Sequence, residues 1–278
     1  MRFAFFALIF AVLWSIPTMA TQVSFFEEFP NSTTFEKIAL VDFDTKIYLA
    51  AKSMSEFETY ETWLKVANPH VKDVVYWPVL EKDEGYWISP WAEPEGLERL
   101  LGEIENRKDK KPIGVMLDLE LPLKRSMLFS FKNFKQNKQR VEYFIGKAVG
   151  NGVSVYTVEK SYIPDFVLEP LGLSYDSEKF GNKKIKMFYS SYWRRSLPDS
   201  IVDRILEGKM KKYVEDGIII GLGKIALGVN PKRKRINMPE ILEQELKTAS
   251  KYGVEEAILF RLEGLNESYL KAIHEGLA

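Results

Sequence analysis

The sequence contains no cysteine and only two histidines, His70 and His274. Without cysteine there can be no disulfide, so an exported chain of this composition must be held by its core alone. The scarcity of both residue types also excludes a zinc site of the usual thiolate or imidazole kind, and no calcium or magnesium loop signature replaces it. No metal and no cofactor are expected: "GLGKIALG" (221–228) lacks the G-x-G-x-x-G spacing of a dinucleotide site. Charge of one sign is missing too. Lysine plus arginine number 39 against 39 aspartates and glutamates, so no basic footprint for nucleic acid exists. No Gly/Ser-rich or Pro-rich linker divides the chain.

What is present begins with "MRFAFFALIFAVLWSIPTMA", in which Arg2 precedes the apolar run Phe3–Ile16 and small or neutral residues lead to Ala20. This is the layout of a secretory signal peptide. Residues 1–20 are therefore expected to be removed and the protein to be secreted or extracytoplasmic; a membrane is involved only if the segment stays uncleaved. Asn31 in "NST" and Asn266 in "NES" fit glycosylation sequons, in keeping with an exported surface.

From residue 21 onward, after an arm at 21–37, apolar β-rich runs alternate with longer amphipathic stretches. "KIYLAAKS", "VKDVVYWPVL", "IGVMLDLEL", "VSVYTVEKS", "KIKMFYSSYW", "IIIGLGKIALGV" and "EEAILFRLEGL" read as strands, with "IALVDF" as an eighth. Helical patterns separate them, such as "PEGLERLLGEIEN" opening on Pro94 and "KQRVEYFIGKAVGNG" closing on glycines. Regular βα alternation implies a parallel sheet covered by helices. The expected fold is α/β, a (β/α)8 barrel irregular at its N-terminal edge and forming one domain over 21–278; an open doubly wound sheet is the alternative.

In such a barrel the functional face is built from strand C-termini and the loops after them. On an extended strand Met116, Asp118 and Glu120 share a face, so "GVMLDLELP" aims two acids the same way. Counting from "KIYLAAKS", Asp118 and Glu120 end the third strand, Glu159 the fourth, and Arg261 with Glu263 the seventh. Four acids at strand ends suggest a carboxylate pair for acid-base work, with Glu120, nearer the rim, as the proton donor and Glu159 or Glu263 opposite it. Like charges so close should raise one carboxyl's pKa, and Glu120 is expected to be that one. Arg261 could neutralise a neighbouring carboxylate or meet substrate. Aromatic residues gather in "YWPVLEKDEGYWISPWAEP", where Tyr76, Trp77, Trp87 and Trp91 could stack on sugar rings or pin the loop down, and in "FYSSYWRR" with Tyr189 and Trp193. The basic loop "NPKRKR" (230–235) could attract anionic groups or be simply solvated.

Across residues 47–278 this pattern resembles TIM-barrel glycoside hydrolases. Many retaining members carry the acid after strand four and the nucleophile after strand seven, which the resemblance places at Glu159 and Glu263. "LDLE" (117–120) is similar to the strand-end acid motif of chitinase- and lysozyme-type barrels, which implies Glu120 as proton donor and Asp118 as its support; the further aspartates of the chitinase pattern are replaced by Ile113 and Met116. The expected partner is an oligosaccharide or polysaccharide substrate. A non-catalytic glycan-binding barrel is the competing reading, and a phosphodiesterase-like barrel a third that lacks strand-end histidines.

Overall fold

The computed structural model describes residues 21–107, 113–129, 131–229 and 235–278. The signal-peptide reading of residues 1–20 and most of the basic loop at 230–235 lie outside the described residues. Eight parallel strands close into one barrel in sequential order. They are β1 (Gln22–Glu27), β2 (Thr45–Ala51), β3 (Val71–Pro78), β4 (Val115–Asp118), β5 (Val155–Lys160), β6 (Lys183–Phe188), β7 (Ile219–Lys224) and β8 (Glu256–Phe260). The helices are α1 (Ser32–Ile38), α2 (Met54–Ala67), α3 (Pro94–Glu105), α4 (Phe134–Gly150), the short α5 (Asp165–Leu168), α6 (Ser177–Phe180) and α7 (Ser190–Trp193), then α8 (Asp199–Glu215), α9 (Pro239–Tyr252) and α10 (Glu267–Leu277). The expected (β/α)8 barrel is what forms, and the open sheet is excluded by the β1–β8 pairing from Gln22↔Glu256 to Phe26↔Phe260.

The N-terminal edge differs from expectation. The first strand lies inside the supposed arm, whereas "IALVDF" ends α1 and turns, forming no strand. Every strand count therefore moves up by one: Asp118 ends the fourth strand, Glu159 sits on the fifth, and Glu263 follows the eighth. The positional match of Glu159 and Glu263 to strands four and seven is lost.

Alternation along the strands sorts the apolar residues into two layers. Phe26, Tyr48, Val75, Trp77, Met116, Tyr156, Val158, Ile185 and Ile258 fill the barrel interior. Phe25, Ile47, Tyr76, Leu117, Val155, Ile220 and Leu259 face outward and join the helices in the larger core. A polar floor closes the N-terminal end, where Glu256 accepts from Ser24 Oγ, Lys46 Nζ and Tyr48 OH at 2.7–3.0 Å. Both sequon asparagines serve as helix N-caps: Asn31 accepts from the Thr33 and Thr34 amides, and Asn266 from that of Tyr269. Among the described residues no helix is long and apolar enough to cross a membrane.

Candidate active site

The C-terminal mouth of the barrel holds a narrow inner hollow of about 60 Å³ that adjoins a wider outer one of about 340 Å³. Glu120, Met187, Tyr189 and Tyr192 line both. As the alternation required, Met116, Asp118 and Glu120 all face the inner hollow. β4 ends at Asp118, although the Leu119 amide still donates to the Val158 carbonyl of β5, and Pro122 beyond it has no N–H to extend the ladder. Asp118 is 6 % exposed, and its Oδ1 is buried without a hydrogen-bond partner. Burial, then the charges of Glu120 and Glu28, push its carboxyl well above the usual range, against the pull of Lys160. The carboxyl that burial and like charge push up here is the deeper one, Asp118. Glu120 instead forms an ion pair with Lys160, with Nζ 3.0 Å from Oε2.

Glu28, just past β1, is a third mouth carboxylate that sequence reasoning missed. The Tyr86 hydroxyl donates to its Oε1 at 3.0 Å and the Val229 amide to its Oε2 at 3.1 Å. Burial outweighs these donors and the Arg261 charge, and holds Glu28 up at about 7. Its signal was the pair Glu27–Glu28 in "FFEEFP", hidden because that stretch reads as an arm.

Lys224 reaches the mouth through an irregularity. Register shifts between Leu222 and Lys224 where β7 meets β8, and Gly223 sits there at φ +64°. A Cβ on Gly223 would meet Leu242 and Leu259 of the outer layer, so Leu222 and Gly223 both face outward and Lys224 is turned inward. Its Nζ lies 5.2 Å from the Tyr192 ring centroid.

Several expected site residues lie elsewhere. Glu159 points out of the barrel: it is fully buried in the outer layer, 2.5 Å from Lys186 Nζ, with the Tyr175 amide and Thr157 hydroxyl also on its Oε1. The phase of "VYTVEK" explains this, since Tyr156, Val158 and Lys160 take the inner face and leave Glu159 the outer one. Glu263 lines neither hollow and pairs with Arg261. Arg261 is likewise occupied, donating to Glu27 Oε1 at 2.9 Å and to the Leu227 carbonyl, so it ties β8 to β1 and does not line the mouth.

The aromatic set divides in the same way. Trp77 and Trp87 line the inner hollow, Tyr189 lines both, and Trp193 the outer one. Tyr76 packs outward on Phe57 with ring centroids 4.9 Å apart. Trp91 joins Leu168, Leu173 and Phe134 in a separate small core that holds the β3–α3 loop down. Three buried polar atoms without a protein partner, Asp118 Oδ1, Trp77 Nε1 and Tyr189 OH, thus belong to residues of one hollow. Among the described residues no group of three or more histidine or acidic side chains is arranged to hold a metal ion.

No protein-family model and no curated protein matches the chain. Solved structures do match its fold. A chitinase from Chromobacterium violaceum aligns with a TM-score of 0.53 at 10 % identity over 93 % of this chain and 99 % of that one. Active domain 2 of a Pyrococcus furiosus chitinase gives 0.50 at 11 % identity over 93 % and 96 %. A tri-modular GH5 endo-beta-1,4-glucanase from Bacillus licheniformis gives 0.53 at 14 % identity over 93 % of this chain and 60 % of that one. At such identities the likeness establishes shape alone: this chain is a closed parallel (β/α)8 barrel of the kind seen in glycoside hydrolases.

Proposed function

We propose that the protein is an exported carbohydrate-active hydrolase whose barrel mouth cleaves a glycosidic bond with Glu120, Asp118 and Glu28. The observation that carries this reading is Asp118 Oδ1, buried and without a partner beneath Glu120 in an aromatic-walled hollow. Burying an unpaired polar atom costs free energy, and mouths of (β/α)8 barrels are where such a cost is tolerated for chemistry. Burial and the charges of Glu120 and Glu28 push the Asp118 carboxyl well above the usual range, which favours its protonated form. The Asp118 proton passes through Glu120 to the leaving oxygen as the glycosidic C–O bond breaks, and Lys160 steadies the Glu120 carboxylate on either side of the transfer. Glu28, oriented by Tyr86 and the Val229 amide, is the opposing carboxylate in place of Glu159 or Glu263, and either attacks the anomeric carbon or takes the proton of the water that does. Trp77, Trp87, Tyr189 and Trp193 offer ring faces and donors to the sugar.

A second reading, a non-catalytic glycan-binding barrel, is favoured by the Lys160 ion pair that occupies Glu120. A glycan-array screen followed by turnover of each bound oligosaccharide tests both. Turnover lost in Glu120→Gln supports the hydrolase. Tight binding without turnover in the wild type rejects it in favour of the binding barrel, and no glycan bound at all rejects both.

A further inference from the structure

The loop that follows Glu120 carries a face that glycan chemistry does not use. From Leu121 to Val141 the sequence has six basic residues and no acidic one. Lys124, Arg125, Lys132 and Lys135 are exposed, and none of them has an ion-pair partner among the described residues. Leu128 of this loop and Phe134 at the start of α4 turn inward onto Trp91, Leu168 and Leu173. Phe129 and Phe131 are left outside, 84 % and 66 % exposed. On α5, whose Leu168 belongs to the same small core, Phe166 is 76 % exposed. Large aromatic side chains this bare forgo about 1.5–3 kcal/mol each relative to burial, and clustered exposure of that kind marks a surface that meets something.

The chemistry of the cluster selects the partner. Phe129 and Phe131, set among Lys124, Arg125, Lys132 and Lys135 in a segment with no carboxylate from Leu121 to Val141, match an interface in which rings enter an acyl boundary and ammonium groups stay at anionic headgroups. We propose that this rim, centred on Phe129 and Phe131, docks on a lipid bilayer bearing anionic headgroups. The docking seats the barrel mouth against the bilayer, because the loop begins at the residue after Glu120.

The protein beginning at Thr21, which keeps all eight strands, is sedimented with phosphatidylcholine vesicles with and without phosphatidylglycerol. Co-sedimentation is expected only with the anionic vesicles and should weaken as salt is added. Phe129→Ser with Phe131→Ser should reduce partitioning at least about tenfold, and each of Lys124→Ser and Lys132→Ser about fivefold, at unchanged melting temperature. The proposal is overturned if anionic vesicles leave the protein in the supernatant. It is equally overturned if the phenylalanine variant binds them as well as the wild type, which would reveal plain attraction to any polyanion. A lipid-free dimer abolished by the same variant would reassign the face to self-association.

Discussion

Lys160 Nζ lies 3.0 Å from Glu120 Oε2, joining the ends of β5 and β4 across the barrel mouth. The preceding residue, Glu159, makes its ion pair with Lys186 on the other side of the sheet. One step along β5 thus separates a residue of the proposed chemistry from a residue of the scaffold, and substitutions at the two should have opposite signatures.

Glu120→Gln should lower glycan turnover by about 10²–10⁴-fold, the usual loss for one member of an acid-base pair, while costing less stability than the loss of Glu159, because Lys160 keeps some contact with solvent and Gln keeps an oxygen for it. Turnover assays beside thermal melts check this. A fall in melting temperature with turnover per folded molecule intact would make Glu120 structural.

Glu159→Ala should do the reverse. It leaves Lys186 buried with only Asp165 to compensate, and breaking a buried pair costs on the order of 3 kcal/mol. Denaturant titration should show that loss, with turnover by the folded fraction unchanged.

Glu28, held up at about 7 by burial, must be ionised to act as the opposing carboxylate. Turnover should therefore rise with pH through about 7 and level off above it. Glu28→Gln should lose at least about 10²-fold and the limb along with the activity. A wild-type profile that falls across the same range would transfer the proton-donor role to Glu28.

Glu245, fully buried on α9, is raised to about 7 chiefly by burial, with Asn237 donating to its Oε2 at 3.0 Å. Its folded value lies above the ordinary 4.5, so between the two the native state holds more protons than the unfolded state. The stability this contributes is complete below 4.5 and lost as pH rises to about 7, amounting to about 3 kcal/mol. Denaturant titrations across that window should show a flatter pH dependence for Glu245→Gln than for the wild type by about this amount.

Gly223→Ala places a Cβ 2.6 Å from Leu242 Cδ1 at φ +64°. A cost of about 1–3 kcal/mol is expected from the backbone conformation and the clash. Because the same bulge turns Lys224 into the inner hollow and so shapes its wall, glycan affinity should fall as well; a variant that loses stability yet binds normally would separate the bulge from the site.

The sequence by itself determined a parallel α/β sheet covered by helices, because βα alternation is a local pattern and α2, α3, α4, α8, α9 and α10 each show it within one segment, whereas closure into a barrel rests on the β1–β8 pairing. It also placed Asp118 and Glu120 on one face, since strand alternation needs no partner. It could not show β1, whose buried Glu27 accepts from Arg261, 234 residues away, and whose Ser24 meets Glu256 across a comparable span. Nor could it tell inside from outside on β5, where Glu159 and Lys160 differ by a single step and only the phase of Tyr156 and Val158 against the closed sheet decides. The turning of Lys224 depends on a one-residue register shift between β7 and β8. The meeting of Glu28 with Asp118 and Glu120 depends on closure, which brings the ends of β1 and β4 to one mouth. These are relations between distant segments, and a period read along one segment carries no information about them.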